Sequence, residues 1–198
     1  MKVDERKVAR WITDVVVRRP AAWRLVRGRM RDIFERVAPT WNTRIGPHHL
    51  GALSLALEGV AVPARVLDVG TGTGVAAAAL ADRYPSAGVV GVDISPAMLV
   101  EAELRGSRAR FEVGDASRLA YADASFDLVV LMNAIPFFDE LARVTAPGGH
   151  LVVSFSRGAE TPIYVADGRL RSELGRRGFG DFAAYAADPA TALRARRL

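Results

Sequence analysis

The feature that most constrains the fold is a glycine-rich turn within residues 66–74, which read VLDVGTGTG. A short apolar run is interrupted by Asp68, three glycines follow at alternate positions, and the alanine-rich residues 75–81 continue as a helix. Glycine permits positive φ angles and a close approach of the backbone to a ligand. A strand, a glycine turn and a helix start therefore predict an α/β sheet with a ligand site at this turn.

The spacing of the glycines does not identify the ligand. A dinucleotide-binding fingerprint reads G-x-G-x-x-G/A. Counted from Gly70, its third position falls on Val75, which does not fit; counted from Gly72, it falls on Ala77, which does. A turn that needs glycine only for its own geometry is the competing interpretation.

The rest of the sequence predicts an N-terminal helical segment followed by alternating strands and helices. Residues 4–19 and 21–38 carry apolar stripes at helical spacing, Pro39 is expected to end the second helix, and a third short helix follows. The later elements are predicted as strand 66–69, helix 75–83, strand 88–93, helix 96–105, strands 109–113 and 126–132, helix 138–144, strand 150–155, helix 170–177 and a hairpin over 179–198. This alternation indicates α/β architecture, a doubly wound, mostly parallel sheet with an antiparallel C-terminal hairpin.

Length and composition bound the remaining possibilities. The 198 residues are expected to form one domain, a helical cap over 1–60 and a cofactor-binding core over 64–198. The chain has no cysteine, which excludes disulfides and thiolate chemistry, and we expect no metal site. It shows no secretory signal and no apolar run near the ~20 residues that span a bilayer, so a cytoplasmic protein is expected.

Two acids end the next two strands. Asp93 closes the second strand, where doubly wound nucleotide sites place a carboxylate that accepts hydrogen bonds from ribose hydroxyls. Asp115 follows the third strand in a Gly-Asp-Ala sequence, from which it could reach the amine of an adenine. A helix cap and an ordinary turn acid are the competing interpretations of these two residues. Asp68 is expected either to orient the glycine loop or to bind an ammonium group.

Five segments in this order resemble the motif series of class I S-adenosylmethionine-dependent methyltransferases, particularly the type-11 group. They read VLDVGTGTG, GVDISPAML, FEVGDASRL, FDLVVLMNA and ARVTAPGGHLVVSF and lie within residues 64–156. The resemblance implies a seven-stranded Rossmann-like sheet, S-adenosylmethionine as methyl donor and S-adenosylhomocysteine as product. It decides against a dinucleotide, because a nicotinamide enzyme is not expected to carry the Gly-Asp-Ala motif together with the Pro147-Gly148-Gly149 turn.

The same resemblance implies a cofactor site at the carboxyl ends of the first four strands. The glycine turn packs against the methionine part, whose ammonium lies near the first-strand acid, and the second-strand acid holds the ribose. The third-strand acid and its neighbour contact the adenine, and the end of the fourth strand lies beside the sulfonium. The implied site residues are Asp68, Gly70, Thr71, Gly72, Gly74, Asp93, Ile94, Asp115, Ala116, Met132 and Asn133.

The acceptor side carries no diagnostic motif. Methyl transfer from a sulfonium is an in-line displacement that depends on holding the nucleophile close and aligned, and a general base is needed only for a weakly acidic acceptor. Base candidates are His48 and His49, for which a solvated helix end is the competing interpretation. Aromatic candidates for an apolar acceptor pocket are Trp41, Phe137, Phe138 and Tyr164.

The sequence therefore predicts transfer of a methyl group to a small-molecule acceptor, and two alternatives remain. An RNA methyltransferase is the first, because Arg24, Arg27 and Arg31 fall on one helix face, opposite Trp23 and Met30, although a solvated face explains them as well. A cofactor-binding or regulatory protein without turnover is the second.

Overall fold

A computed structural model of the chain describes residues 5–44 and 47–198. The helices are α1 (Glu5–Arg18), α2 (Trp23–Trp41), α3 (Gly51–Ala56), α4 (Val75–Arg83), α5 (Pro96–Glu103), α6 (Phe138–Val144) and α7 (Asp167–Gly175). The strands are β1 (Arg65–Val69), β2 (Gly88–Asp93), β3 (Arg110–Val113), β4 (Phe126–Met132), β5 (Thr145–Phe155), β6 (Phe179–Ala187) and β7 (Ala190–Arg197).

The strands form one seven-stranded sheet in the order β3-β2-β1-β4-β5-β7-β6. The first five strands pair in parallel, whereas β7 is antiparallel to both β5 and β6. This confirms the predicted doubly wound sheet and its antiparallel hairpin. The strand order reverses between β1 and β4, and open α/β sheets bind ligands in the crevice at such a reversal, outside the carboxyl ends of the strands.

The central strands are mostly apolar because helices cover both faces of the sheet. Alternate residues of β1 and β4 belong to two separate hydrophobic clusters. Leu67 and Val129 pack in one cluster with side chains of α1, α6 and α7, and Val66 and Leu128 pack in the other with α3 and α4. Period-two alternation along a strand thus builds both layers at once.

The prediction that Pro39 ends the second helix is wrong. Pro39 lies inside α2, which continues to Trp41. A proline removes the amide donor at its own position but does not prevent the residues after it from completing a final turn. The helix also starts later than expected, because Pro20 opens a separate 3-10 turn over Pro20–Ala22 and α2 begins at Trp23.

The segment predicted as a separate Pro147-Gly148-Gly149 turn is part of β5. Thr145 pairs with Phe126 and His150 pairs with Leu128, so residues 146–149 bulge opposite the single residue between those partners. Gly149 suits this place because an added Cβ would lie 2.8 Å from the carbonyl oxygen of Asp127. The Pro147-Gly148-Gly149 sequence therefore marks a β-bulge at the start of a strand and not a separate turn.

Candidate active site

A cavity of about 130 Å³ lies at the carboxyl ends of β1, β2 and β4, where the strand order reverses. The glycine turn and the end of β2 form one wall, and α2 supplies the facing wall with Met30, Phe34 and Trp41. Eight of the eleven predicted cofactor residues line this cavity. They are Gly70, Thr71, Gly72, Asp93, Ile94, Ala116, Met132 and Asn133.

The three glycines of the turn all have positive φ, at 70° for Gly70, 53° for Gly72 and 75° for Gly74. An added Cβ at Gly70 would lie 2.5 Å from the Cβ of Ala134, and one at Gly74 would lie 2.8 Å from the ring of Phe111. An added Cβ at Gly72 would meet no atom closer than the indole nitrogen of Trp41, 4.0 Å away. Gly70 and Gly74 are therefore required by packing, whereas Gly72 leaves open space in the cavity.

Asp68 lies beneath the turn, fully buried, and does not line the cavity. Its Oδ2 accepts a hydrogen bond from the hydroxyl of Thr71 at 2.6 Å, which fixes the turn. Its Oδ1 has no hydrogen-bond partner among the described residues. Burial raises the pKa of Asp68 to about 7, although the bond from Thr71 opposes this shift. The side chain thus orients the loop and retains one unpartnered buried acceptor.

Asp93 connects the glycine turn to the end of β2. Its Oδ2 accepts from the backbone amide of Gly72 at 2.9 Å, and its Oδ1 accepts from the amide of Ser95 at 2.9 Å. Burial raises the pKa of Asp93, and these backbone hydrogen bonds limit the rise. The hydroxyl of Ser95 caps α5 by accepting a hydrogen bond from the backbone amide of Met98 at 3.2 Å. Ser95, and not Asp93, is therefore the N-cap residue of α5. Each carboxylate oxygen keeps a further acceptor site.

Asp115 is bound by α2. Its Oδ1 accepts from the indole N–H of Trp23 at 2.8 Å and from the amide of Ser117 at 2.9 Å, and Arg27 donates to its Oδ2 at 3.2 Å. Burial alone would raise the pKa of Asp115, but the hydrogen bonds outweigh burial and hold it below its ordinary value. The side chain does not line the cavity, although its neighbour Ala116 does. Arg27 and Trp23 therefore donate to the same carboxylate. The prediction that Arg27 lies on the face of α2 opposite Trp23 is wrong.

A second polar contact attaches α2 to the start of α5. Oε1 of Glu35 accepts from the hydroxyl of Ser95 at 2.9 Å and from the amide of Ala97 at 3.4 Å, at the start of α5. Sequence reasoning missed Glu35 and the cavity-facing role of Trp23. The apolar periodicity of α2 indicates which face is buried, but it does not identify what that face contacts.

Part of the cavity wall is apolar. It is lined by Ile135 and Phe137, from the segment after β4, and by Ile163, from the segment after β5. Asn133 begins the segment after β4 with a φ of 54°, in the left-handed region that asparagine tolerates. Its Oδ1 accepts from the backbone amide of Ser156 at 2.9 Å, and its Nδ2 donates to the Ser156 hydroxyl at 2.8 Å. Asn133 thus fixes the loop after β4 to the end of β5.

The candidate aromatic and basic residues divide between the cavity and the core. Trp41 and Phe137 line the cavity, whereas Phe138 is buried against the core and Tyr164 packs edge-on against Phe155. His49 is buried and is not among the described residues that line the cavity, and the side chain of His48 lies outside the described part of the chain.

Two features are absent from residues 5–44 and 47–198. No group of three or more histidine, aspartate or glutamate side chains in these ranges is arranged to hold a metal ion. No helix in them is long and apolar enough to cross a membrane.

Comparison with known proteins agrees with this geometry. A family model described as a methyltransferase domain matches residues 66–149. Demethylmenaquinone methyltransferase of Thermus thermophilus is 44% identical over 113 residues, which are 52% of this chain and 50% of that protein. Trans-aconitate 2-methyltransferase of Methylobacterium nodulans is 37% identical over 125 residues, covering 60% of this chain and 48% of that protein.

Among solved structures, a possible histamine N-methyltransferase from Thermotoga maritima superposes with a TM-score of 0.67 at 20% identity, over 85% of this chain and all of that chain. Fold and site thus define a Rossmann-like protein with a cavity at the β1–β4 reversal. The matched domain, the relatives and the fold together support a class I S-adenosylmethionine-dependent methyltransferase, which confirms the resemblance. It spans about half the length of the curated relatives that it matches.

Proposed function

We propose that this protein transfers a methyl group from S-adenosylmethionine to a small acceptor whose reacting part is apolar. The observation that carries the proposal is the contrast between the two ends of one cavity. One end presents the glycine turn and Asp93, and the other presents Ile135, Phe137 and Ile163. A polar, hydrogen-bonding end suits a nucleoside cofactor, and an apolar end suits an apolar acceptor.

The residues of the donor end fit the cofactor. Gly72 leaves space for a ligand to lie against the backbone, and Asp93 retains acceptor capacity for two ribose hydroxyls. The unpartnered Oδ1 of Asp68 is a buried acceptor beneath the turn and favours a positively charged group above it. When bound, S-adenosylmethionine supplies an electrophilic methyl group. The chain itself binds and orients the two reactants.

The acceptor end contributes alignment and exclusion of water. Side chains of Met30, Ile135, Phe137 and Ile163 surround it from α2 and from two loops. An acceptor held between these walls is desolvated and positioned for in-line attack, which can supply much of the rate when the leaving group is already activated. Of the two named relatives, one is a demethylmenaquinone methyltransferase and the other a trans-aconitate 2-methyltransferase. The apolar walls favour a quinol-like acceptor over an acidic one.

Two measurements test the proposal in sequence. S-adenosylhomocysteine is expected to raise the melting temperature, because it binds the native state and not the unfolded chain. No shift at millimolar ligand would reject the cofactor assignment. Transfer of labelled methyl is then compared between a reduced short-chain naphthoquinone and trans-aconitate at equal concentration. The quinol is expected to be the better acceptor, and a preference for trans-aconitate would reject the apolar acceptor.

The methyl-transfer assay also addresses the alternative without turnover. A chain that binds S-adenosylhomocysteine but methylates neither compound nor RNA would favour a binding or regulatory role. We propose that residues 5–44 act as the cover of the donor site, because α2 forms one wall of the cavity and contacts Asp115 and Ser95.

A further inference from the structure

A basic basin adjoins the cavity on the outer side of its aromatic wall. It is lined by Pro20, Ala21, Trp23, Arg24, Arg27, Ser117, Arg118 and Phe137. Trp23 and Phe137 also line the cofactor cavity, and their rings pack edge-on with centroids 5.5 Å apart. The basin and the cavity therefore share one wall, made of two aromatic side chains.

The arginines of the basin differ in how they are paired. Arg27 forms an ion pair with Asp115 at 3.2 Å, which offsets part of its charge. The guanidinium groups of Arg24 and Arg118 have no hydrogen-bond or ion-pair partner within residues 5–44 and 47–198. Arg24 and Arg118, with their unpaired guanidinium groups, thus line one concavity together with Ser117, whose hydroxyl also interacts with Asp115. A guanidinium presents its donors in a planar fork that matches phosphate oxygens.

The charge of the surrounding segment has the same sign. Residues 5–44 contain eleven arginines and lysines against four acids, a net charge of +7, whereas the whole chain carries +5. The positive charge of the protein is thus concentrated in the helices that border the basin. Such a field attracts anions and raises their local concentration.

We propose that Arg24, Arg118 and Ser117 form a binding site for a phosphate group carried by the methyl acceptor. This inference rests on the proposed function, because it assigns a chemical property to the acceptor of that reaction. The phosphate lies in the basin, and the apolar part of the same molecule reaches past Phe137 into the cavity. The acceptor thus combines an apolar reacting end with an anionic group. A soluble phosphate ester and a lipid headgroup share this chemistry.

The test compares two ligands and two double variants. The ligands are 1-naphthyl phosphate and 1-naphthol, which share the ring and differ in the phosphate. The variants are Arg24→Ala/Arg118→Ala and a control, Arg29→Ala/Arg36→Ala, which removes the same charge from exposed side chains of α2 outside the basin. Calorimetry is expected to show naphthyl phosphate binding about tenfold more weakly to the first variant, the scale of one lost charged hydrogen bond, and unchanged binding to the control.

Other outcomes overturn the inference. If both double variants lost the same affinity for naphthyl phosphate, the cause would be a general charge effect. If Arg24→Ala/Arg118→Ala lost the same affinity for 1-naphthol as for naphthyl phosphate, the cause would be structural. A second arm uses phosphatidylglycerol vesicles and phosphatidylcholine vesicles. Binding to the anionic vesicles that requires Arg24 and Arg118 supports the site and identifies a lipid as the source. Salt-sensitive binding of single-stranded RNA without binding of naphthyl phosphate or vesicles would replace the inference with an RNA surface.

The proposed function has a separate readout. The thermal shift by S-adenosylhomocysteine is expected to persist in both double variants, because neither removes a residue of the donor end. A retained shift without phosphate binding rejects the basin site and leaves the methyltransferase proposal in place. If S-adenosylhomocysteine does not raise the melting temperature of the unsubstituted protein, the methyltransferase proposal itself is rejected.

Discussion

The two facing walls of the cavity are built in different ways. The sheet wall consists of a glycine turn and short polar side chains whose hydrogen bonds are made within the sheet and its loops, such as Thr71 to Asp68 and Gly72 to Asp93. The α2 wall consists of large apolar side chains on one helix, and the described polar contacts that attach it are Trp23 and Arg27 to Asp115 and Glu35 to Ser95 and Ala97.

The two walls therefore differ in how accurately their atoms must be placed. Atoms of the sheet wall must be placed to within less than an ångström, whereas side chains of the α2 wall need only be apolar and large. The sheet wall has backbone atoms and buried carboxylates in fixed relation, so small changes there are expected to affect both folding and cofactor binding. The α2 wall supplies cover and apolar area, so conservative changes there are expected to have smaller effects. The predictions that follow test this division, in order of expected size.

The largest effect is expected from Gly70→Ala. The new methyl group would lie 2.5 Å from the Cβ of Ala134, at a φ of 70°. Left-handed strain of about 1–2 kcal/mol and overpacking of about 1–3 kcal/mol together give a loss of about 2–5 kcal/mol in the free energy of unfolding, measured by urea denaturation.

Gly72→Ala provides the matched control for that substitution. Its φ of 53° is also left-handed, but the added methyl group meets nothing closer than 4.0 Å. We expect a loss near 1 kcal/mol in stability, as for left-handed strain alone, and weaker binding of S-adenosylhomocysteine because the methyl group enters the cavity. Equal losses of stability in the two variants would contradict the packing argument.

Asp68→Asn is expected to change how stability depends on pH. Burial raises the pKa of Asp68 from 3.8 to about 7, so the folded state holds this proton more tightly than the unfolded chain. The stability that protonated Asp68 contributes is therefore lost as pH rises from about 4 to about 7. Over this range, the free energy of unfolding of the unsubstituted protein, measured in urea titrations, is expected to fall by up to about 4 kcal/mol relative to that of Asp68→Asn. Parallel curves for the two proteins would contradict this.

Asp93→Ala is expected to weaken binding of S-adenosylhomocysteine by about 1.5–3 kcal/mol, the scale of hydrogen bonds to a charged group. Asp127→Ala is the matched control, since Asp127 also accepts from two backbone amides, those of Ala64 and Arg65, at 3.0 and 2.8 Å. Asp127 lies at the start of β4, at the opposite edge of the sheet. We expect lower stability in both variants and lower affinity by calorimetry only in Asp93→Ala; equal affinities would place the ribose contact elsewhere.

The same division explains how far the sequence could predict the molecule. The strand, turn and helix within residues 66–83 could be predicted from local signals, because the glycines and the buried acid lie within a few residues of each other. Asp93 was found because strand ends in a parallel sheet meet at one edge. Glu35 and Trp23 were not found, because their partners Ser95 and Asp115 lie 60 and 92 residues away. Helical periodicity contains no information about such a partner.

The smallest effect is expected from Trp23→Phe, on the α2 wall. Phenylalanine keeps an aromatic ring beside Phe137 but removes the indole donor that lies 2.8 Å from Asp115. Because Asp115 is only partly buried, we expect a loss of about 1 kcal/mol in stability at neutral pH. The pKa of Asp115 is held low in the folded protein, so this stabilisation is present above its ordinary pKa and is lost as pH falls.

The stability difference between Trp23→Phe and the unsubstituted protein is therefore expected to stay constant at neutral pH and to shrink in urea titrations as pH falls below about 4, where Asp115 becomes protonated. A difference that is constant with pH would mean that ring packing, and not the hydrogen bond, accounts for the loss. Affinity for S-adenosylhomocysteine is expected to change less than in Asp93→Ala. If Trp23→Phe weakened that affinity as strongly, α2 would act as part of the donor site itself, and the division between a binding wall and a covering wall would fail.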